Sequence, residues 1–199
     1  MSTHLAATAK DETDPAAPNC LAGPTAWLDT PRTDTSVQTG PMRRRLIVLR
    51  HAKSDWSTGV ADHDRPLAAR GRREAVLAGL WLRENAVDID LVVCSSAKRA
   101  RQTWKLVAKQ LGDAATVRSD DRLYAAAART LLGVVGEIPG SAHAVLLIGH
   151  NPGLEDLVAE MSGVGWRMKT SSIAVLSTGS GWADAGARWA RLEATVTPR

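Results

Sequence analysis

Three short, nearly unbroken apolar runs constrain this chain more than any other feature. Residues 46–49, 89–94 and 144–148 are dominated by Leu, Ile, Val and Ala. Each has the length of a strand, and apolar residues fill both alternating sets, as expected of strands covered on both faces. The segments between them carry a different period. In residues 71–85, Ala75, Leu77, Leu80, Trp81 and Glu84 fall near helical spacing. In residues 98–111, Thr103, Leu106, Val107, Gln110 and Leu111 form one stripe. Further helices are predicted over 130–137, ended by Pro139-Gly140, and over 154–161. Residues 172–177 and 189–196 read as late strands around a Gly-rich turn. Alternation of buried strands and helices predicts an α/β fold, a three-layer α/β/α sandwich with a mostly parallel central sheet.

A chain of 199 residues is expected to hold one domain and a tail. Residues 1–42 are rich in Ala, Thr, Pro, Asp and Gly and sustain no apolar period, so they are expected to be a disordered extension. Met42, directly ahead of Arg43-Arg44-Arg45 and the first strand, is expected to be the functional start. No run approaches the ~20 apolar residues that span a bilayer, and no secretory signal opens the chain. A cytoplasmic protein without a membrane partner is therefore expected. Cys20 and Cys94 are too few for a disulfide framework and lack zinc-ligand spacing. Cys94, at the end of a buried strand, reads as a core thiol. Net charge is −3 over residues 1–42 and +7 over the rest. A basic body favours anionic ligands. Nucleic acid is disfavoured among them, because the cations are dispersed and the chain has one Tyr and no Phe with which to stack bases.

In parallel α/β sheets, ligands bind beyond the carboxyl ends of the strands. Arg50-His51 follows the first strand, Ser95 and Ser96 with Lys98, Arg99 and Arg101 follow the second, and Gly149-His150-Asn151-Pro152 follows the third. Two imidazoles and several cations thus converge on one sheet edge. Such a set suits a phosphoryl group held by positive charge with an imidazole able to attack it.

These segments carry a resemblance. Arg50-His51-Ala52-Lys53-Ser54, then Ser95-Ser96-Ala97-Lys98-Arg99-Ala100-Arg101-Gln102-Thr103, then Gly149-His150-Asn151-Pro152 resemble, in order, the three motifs of the histidine phosphatase superfamily. Ala-Lys-Ser after the histidine and the stretch Asp64-Arg65-Pro66-Leu67 with Arg70-Gly71 look most like its short SixA-type phosphohistidine phosphatases. The resemblance implies a phosphoglycerate mutase-like fold over residues 43–199. It implies His51 as nucleophile, forming a covalent phosphohistidine. Arg50 and Arg99 would clamp phosphoryl oxygens, and His150 would stabilise the transferring charge. Neither metal nor cofactor is expected.

The sequence departs from the family pattern in three places. Ala52 replaces the glycine after the histidine. Ser57 stands where the family has a phosphate-binding Asn, and with Asn151 it is a candidate substrate-binding residue. Alanines occupy the stretch Leu123-Tyr124-Ala125-Ala126, where many relatives carry a proton-donating acid. Asp55, Asp62 and Asp64 could reach the site from the loop after His51. Asp64 is the favoured candidate for the proton donor among them, although helix N-capping, with Pro66 just beyond, is the stronger expectation for it. A missing acid favours phosphohistidine, whose leaving imidazole can already carry a proton, or a similar good-leaving-group substrate such as an aryl phosphate or a phosphoanhydride, over an alcohol ester. Lack of a cap insertion favours a phosphorylated protein. The alternatives are a small phosphate ester, such as a nucleotide or sugar phosphate, and a phosphate-binding module without catalysis. Oligomeric state is open.

Overall fold

The computed structural model describes residues 43–85, 88–112 and 115–199. The expectations for residues 1–42, including Cys20 and the start at Met42, lie outside the described residues.

Six strands form one sheet: β1 (Arg44–Arg50), β2 (Leu91–Ser95), β3 (Thr116–Asp120), β4 (Ala144–Gly149), β5 (Ile173–Thr178) and β6 (Arg191–Val196). Their spatial order is β3-β2-β4-β1-β5-β6. β1, β2, β3 and β4 run parallel, and β5 pairs antiparallel with both β1 and β6. The sheet is therefore mostly parallel, with one reversed strand.

Helices α1 (Ala69–Glu84) and α2 (Lys98–Leu111) cover one face, and α3 (Ala128–Gly136) and α4 (Gly153–Ser162) the other. Alternate strand residues supply the two cores. Leu46 and Val48 of β1 join Leu131, Val134 and Leu157 on the α3/α4 side. Ile47 and Leu49 join Ala78, Leu82 and Val107 on the α1/α2 side. Trp81 and Trp104 pack their helices onto that second core, while Trp182 and Trp189 sit within the first. Cys94 is buried, and burial pushes its thiol up to about 12, so it is an apolar core group.

α1 buries Glu74, Ala75, Ala78, Gly79 and Leu82, at helical intervals. The small residues let α2 approach closely: a Cβ on Gly79 would lie 2.8 Å from the Gln110 side chain. α4 ends at Gly163, whose φ of 75° is the left-handed conformation that glycine adopts at low cost.

β3 is absent from the sequence-based expectation. Its only large apolar residue, Val117, is about half exposed, because β3 lies at the sheet edge and gains no second neighbour. Its parallel pairing with β2, from Leu91–Thr116 to Ser95–Asp120, holds it instead. β6, the other edge, shows regular alternation of exposed and half-buried residues.

Candidate active site

Central strands β2, β4 and β1 are neighbours, so their carboxyl ends deliver Ser95, His150 and His51 side by side. The His51 backbone N–H donates to the Gly149 carbonyl (3.1 Å), which fixes the β1 exit against the β4 exit. The Ala52 N–H donates to Thr103 Oγ1 (3.0 Å) on α2, and Thr103 in turn donates to the Arg99 carbonyl (2.7 Å). Gly71, at the start of α1, packs against the same loop: a Cβ there would lie 2.0 Å from the Lys53 carbonyl oxygen.

His51 is buried. Its Nδ1 lies 2.8 Å from the Ala52 carbonyl, which can only accept, so Nδ1 carries the proton. Nε2 then keeps its lone pair and accepts from Arg99 Nε at 3.3 Å. Burial, reinforced by the neighbouring His150, pushes the imidazole down to about 3. The ring is neutral at ordinary pH, and its free nitrogen is an available nucleophile.

The His150 ring centroid lies 4.8 Å from that of His51. Its Nε2 is 2.9 Å from Ser95 Oγ, while the buried Nδ1 has no partner among the described residues. Desolvation, followed by the charge of Arg99, pushes it down to about 4. Arg50 ends β1 and donates from Nη1 to the Met168 carbonyl (2.7 Å), leaving a buried Nε without a partner among the described residues. Burial lowers its pKa while Glu155 partly offsets the effect. Arg99 is buried in the first turn of α2. Asn151 donates from Nδ2 to Glu155 Oε1 (2.7 Å) and to the Met168 carbonyl (2.9 Å). Arg50, His51, Arg99, His150 and Asn151 all line one cavity of about 360 Å³.

Two candidates from the sequence are not brought there. Asp64 is exposed on the short turn Asp62–Asp64, and its carboxylate lies 3.5 Å from His63 Nδ1. It caps no helix either: α1 begins at Ala69 behind Ala68, without a side-chain cap. Ser57 is exposed, and its Oγ donates to Asp55 Oδ1 (2.7 Å). Neither side chain lines the cavity.

The carboxylate that does line it is Asp62. It accepts from Tyr124 Oη (2.7 Å), Arg65 Nη2 (2.6 Å) and Arg99 Nη2 (3.0 Å). The Tyr124 hydrogen bond and then the two guanidinium groups, acting against partial desolvation, hold Asp62 down to about 2. It is therefore an anion facing the cations of the pocket. Tyr124 itself faces His150, with centroids 5.6 Å apart. Trp56, 72% exposed, lines the cavity and lies over the Arg65 guanidinium at 3.4 Å from its centroid. Among the described residues, no three His, Cys, Asp or Glu side chains are placed to hold a metal ion, and no helix is long and apolar enough to cross a membrane.

The two neutral imidazoles carry a stability consequence. An unfolded histidine binds a proton near pH 6.5, whereas folded His51 and His150 resist it until about 3 and 4. Below pH 6.5 the unfolded chain binds more protons, so acidification favours unfolding, and stability is highest above that value. We expect the melting temperature to fall steadily between pH 7 and about pH 5.5, above the range in which carboxylates titrate. His150→Gln should flatten that slope. Thermal melts across this range, for both proteins, check it.

Comparison with known proteins agrees with this geometry. Residues 46–130 match the family model of the histidine phosphatase superfamily (branch 1). The uncharacterized protein Rv1276c of Mycobacterium tuberculosis is 41% identical over 162 residues, covering 76% of this chain and all of that protein. A candidate phosphohistidine phosphatase SixA of Nakamurella multipartitia superposes with a TM-score of 0.71 at 35% identity, covering 78% of this chain and 96% of that one. Its counterpart from Agrobacterium tumefaciens gives 0.68 at 28% identity, over 78% and 98%.

Proposed function

The chain belongs to the histidine phosphatase superfamily, on its SixA-like branch, and is a phosphatase; from that premise we propose that His51 is its nucleophile and phosphohistidine its preferred substrate class. The observation that carries the nucleophile is the fixed tautomer: Nδ1 donates to a carbonyl, so Nε2 is the unprotonated nitrogen, held beside Arg99 by a long 3.3 Å contact.

In this mechanism the Nε2 lone pair attacks phosphorus. The bond from phosphorus to the leaving atom breaks, and the leaving group departs with that electron pair. Arg50 and Arg99 neutralise the non-bridging oxygens, and His150 donates to one of them. Water then attacks the phosphorylated His51, releasing phosphate and restoring the imidazole. Positioning and charge suffice for both steps, without a metal.

Asp62, the one carboxylate that lines the pocket among the described residues, supports the choice of substrate. Asp62 is ionised, so it has no proton to give to a departing alkoxide. A phosphohistidine ring already protonated on its other nitrogen departs as neutral imidazole and needs none, and the positive charge it carries before departure is favoured beside Asp62. SixA-like neighbours named for phosphohistidine lend the same support. The test compares a phosphohistidine peptide with a serine phosphate peptide of the same sequence, in the presence of a chelator. We expect kcat/KM at least about 100-fold higher for phosphohistidine, about 2.7 kcal/mol in the transition state. Equal rates, or dependence on added metal, would overturn the assignment.

A further inference from the structure

Outside the pocket, the helical faces of the sandwich differ sharply in charge. α1 and α2 expose Arg72, Arg73, Lys98, Arg101, Lys105 and Lys109, none of them ion-paired among the described residues. Glu74 is the helix pair's other acid besides Glu84, and it is buried and bound to Arg70 at 2.6 Å. On the opposite face, α4 carries Glu155, Asp156 and Glu160 and no Lys or Arg. The charge of the body is thus concentrated on one side.

That side is also grooved. Two adjoining cavities, of about 240 and 490 Å³, share Arg72 and Leu106. Val76, Leu77 and Leu106 make the floor, and Arg72, Arg73 and Lys105 the rim. Leu77 is 36% exposed, so the groove offers an apolar side chain to a partner.

The groove borders the catalytic loop. Leu106 packs with Leu67, Ala75 and Ala52, the residue after His51. Leu67 bridges to Ser54, which lines the catalytic cavity, and its N–H donates to Gln102 Oε1 (2.7 Å) on α2. A molecule seated in the groove therefore touches Leu106, which packs against the loop that follows His51.

We infer that the α1/α2 groove is a docking surface for an acidic amphipathic helix of the protein that carries the phosphohistidine. The inference rests on the substrate reading above for what the partner carries, but not for where it binds. An apolar ridge would fill the floor over Leu77 and Leu106, and flanking Glu or Asp residues would meet the rim. This is the helix-in-groove mode of recognition, with charge setting partner choice and encounter rate. The apolar floor favours a protein helix over a nucleic acid backbone, which has no apolar ridge to offer.

The test uses the full chain and two synthetic helical peptides with one histidine each. One has a leucine ridge flanked by Glu, and the other replaces each Glu with Lys. Affinity is measured calorimetrically for the unphosphorylated peptides, and hydrolysis for the phosphorylated ones and for free phosphoramidate. The variant is Arg73→Glu with Lys105→Glu, both outside the catalytic cavity. Wild type should bind the acidic peptide at least tenfold more tightly than the basic one. In the variant that preference should vanish and KM for the acidic phosphopeptide should rise about tenfold, with kcat and phosphoramidate hydrolysis unchanged.

Equal affinity of wild type and variant for the acidic peptide would overturn the docking surface. So would a variant defect confined to duplex DNA or to anionic lipid vesicles, which would assign the groove to those polyanions. Failure of the substrate reading has a different signature: the wild type would bind the acidic peptide and leave its phosphohistidine intact.

Discussion

His51→Ala is expected to slow phosphate release by a factor on the order of 10³–10⁵, the scale seen when a nucleophile working in a constellation is removed. The loss should appear in kcat, with phosphate affinity kept or increased. Arg50, Arg99 and His150 remain, and each is positioned by contacts other than His51: the Met168 carbonyl, Asp62 and Ser95. Removing the buried imidazole should also flatten the loss of stability between pH 7 and pH 5, because the protein no longer excludes a proton there. Rapid acid quench with labelled substrate should trap a phosphoenzyme in wild type and none in the variant. Activity within tenfold of wild type would place the nucleophile elsewhere.

Gly153→Ala is expected to be strongly destabilising. The first residue of α4 lies against the pocket-lining segment Tyr124–Ala126, and a Cβ on Gly153 would sit 2.0 Å from the Ala126 carbonyl oxygen and 3.1 Å from its carbon. Two backbone segments must separate, and no side chain can swing away to relieve the overlap. A cost of about 3 kcal/mol or more follows, or a fall in melting temperature of about 6–12 °C for a chain of this size. Tyr124 and Ala125 line the catalytic cavity, so activity should fall too. Gly133→Ala is the control. Gly133 lies inside α3 with nothing within 4 Å of its Cβ position, and alanine should stabilise the helix there by about 0.5–1 kcal/mol. Denaturant titrations of the two variants separate overlap from helix propensity.

The central strands and the cluster at their ends were legible because one physical pattern produces both. A strand buried on two faces reads as an apolar run, and its exit marks the place where polar residues meet. Arg50, His51, Arg99 and His150 follow from that rule, and the structure brings them to one cavity. β3 was illegible for the opposite reason: an exposed edge strand is held by pairing to β2, and pairing leaves no apolar signature in its own sequence. Asp62 and Asp64 differ by two residues on a tight turn, so a small rotation decides which carboxylate faces the site. That rotation is set by partners remote in sequence, Arg99 and Tyr124. Ser57 was drawn from family register, yet it closes a local turn onto Asp55.

The strand order also has a consequence for synthesis. β1 is flanked by β4 and β5, both far downstream in the chain. When residues Leu46–Leu49 leave the ribosome, neither neighbour has been made, and Ala144 follows Arg50 by more than ninety positions. At roughly 5–20 residues per second, a strand apolar on both faces waits on the order of 5–20 seconds for its first sheet partner. The nascent chain in that interval is a natural client for chaperones. The phosphatase pocket, assembled across β1, β2 and β4, can appear only at the end of that wait, so no shorter nascent chain can hold the phosphoryl group.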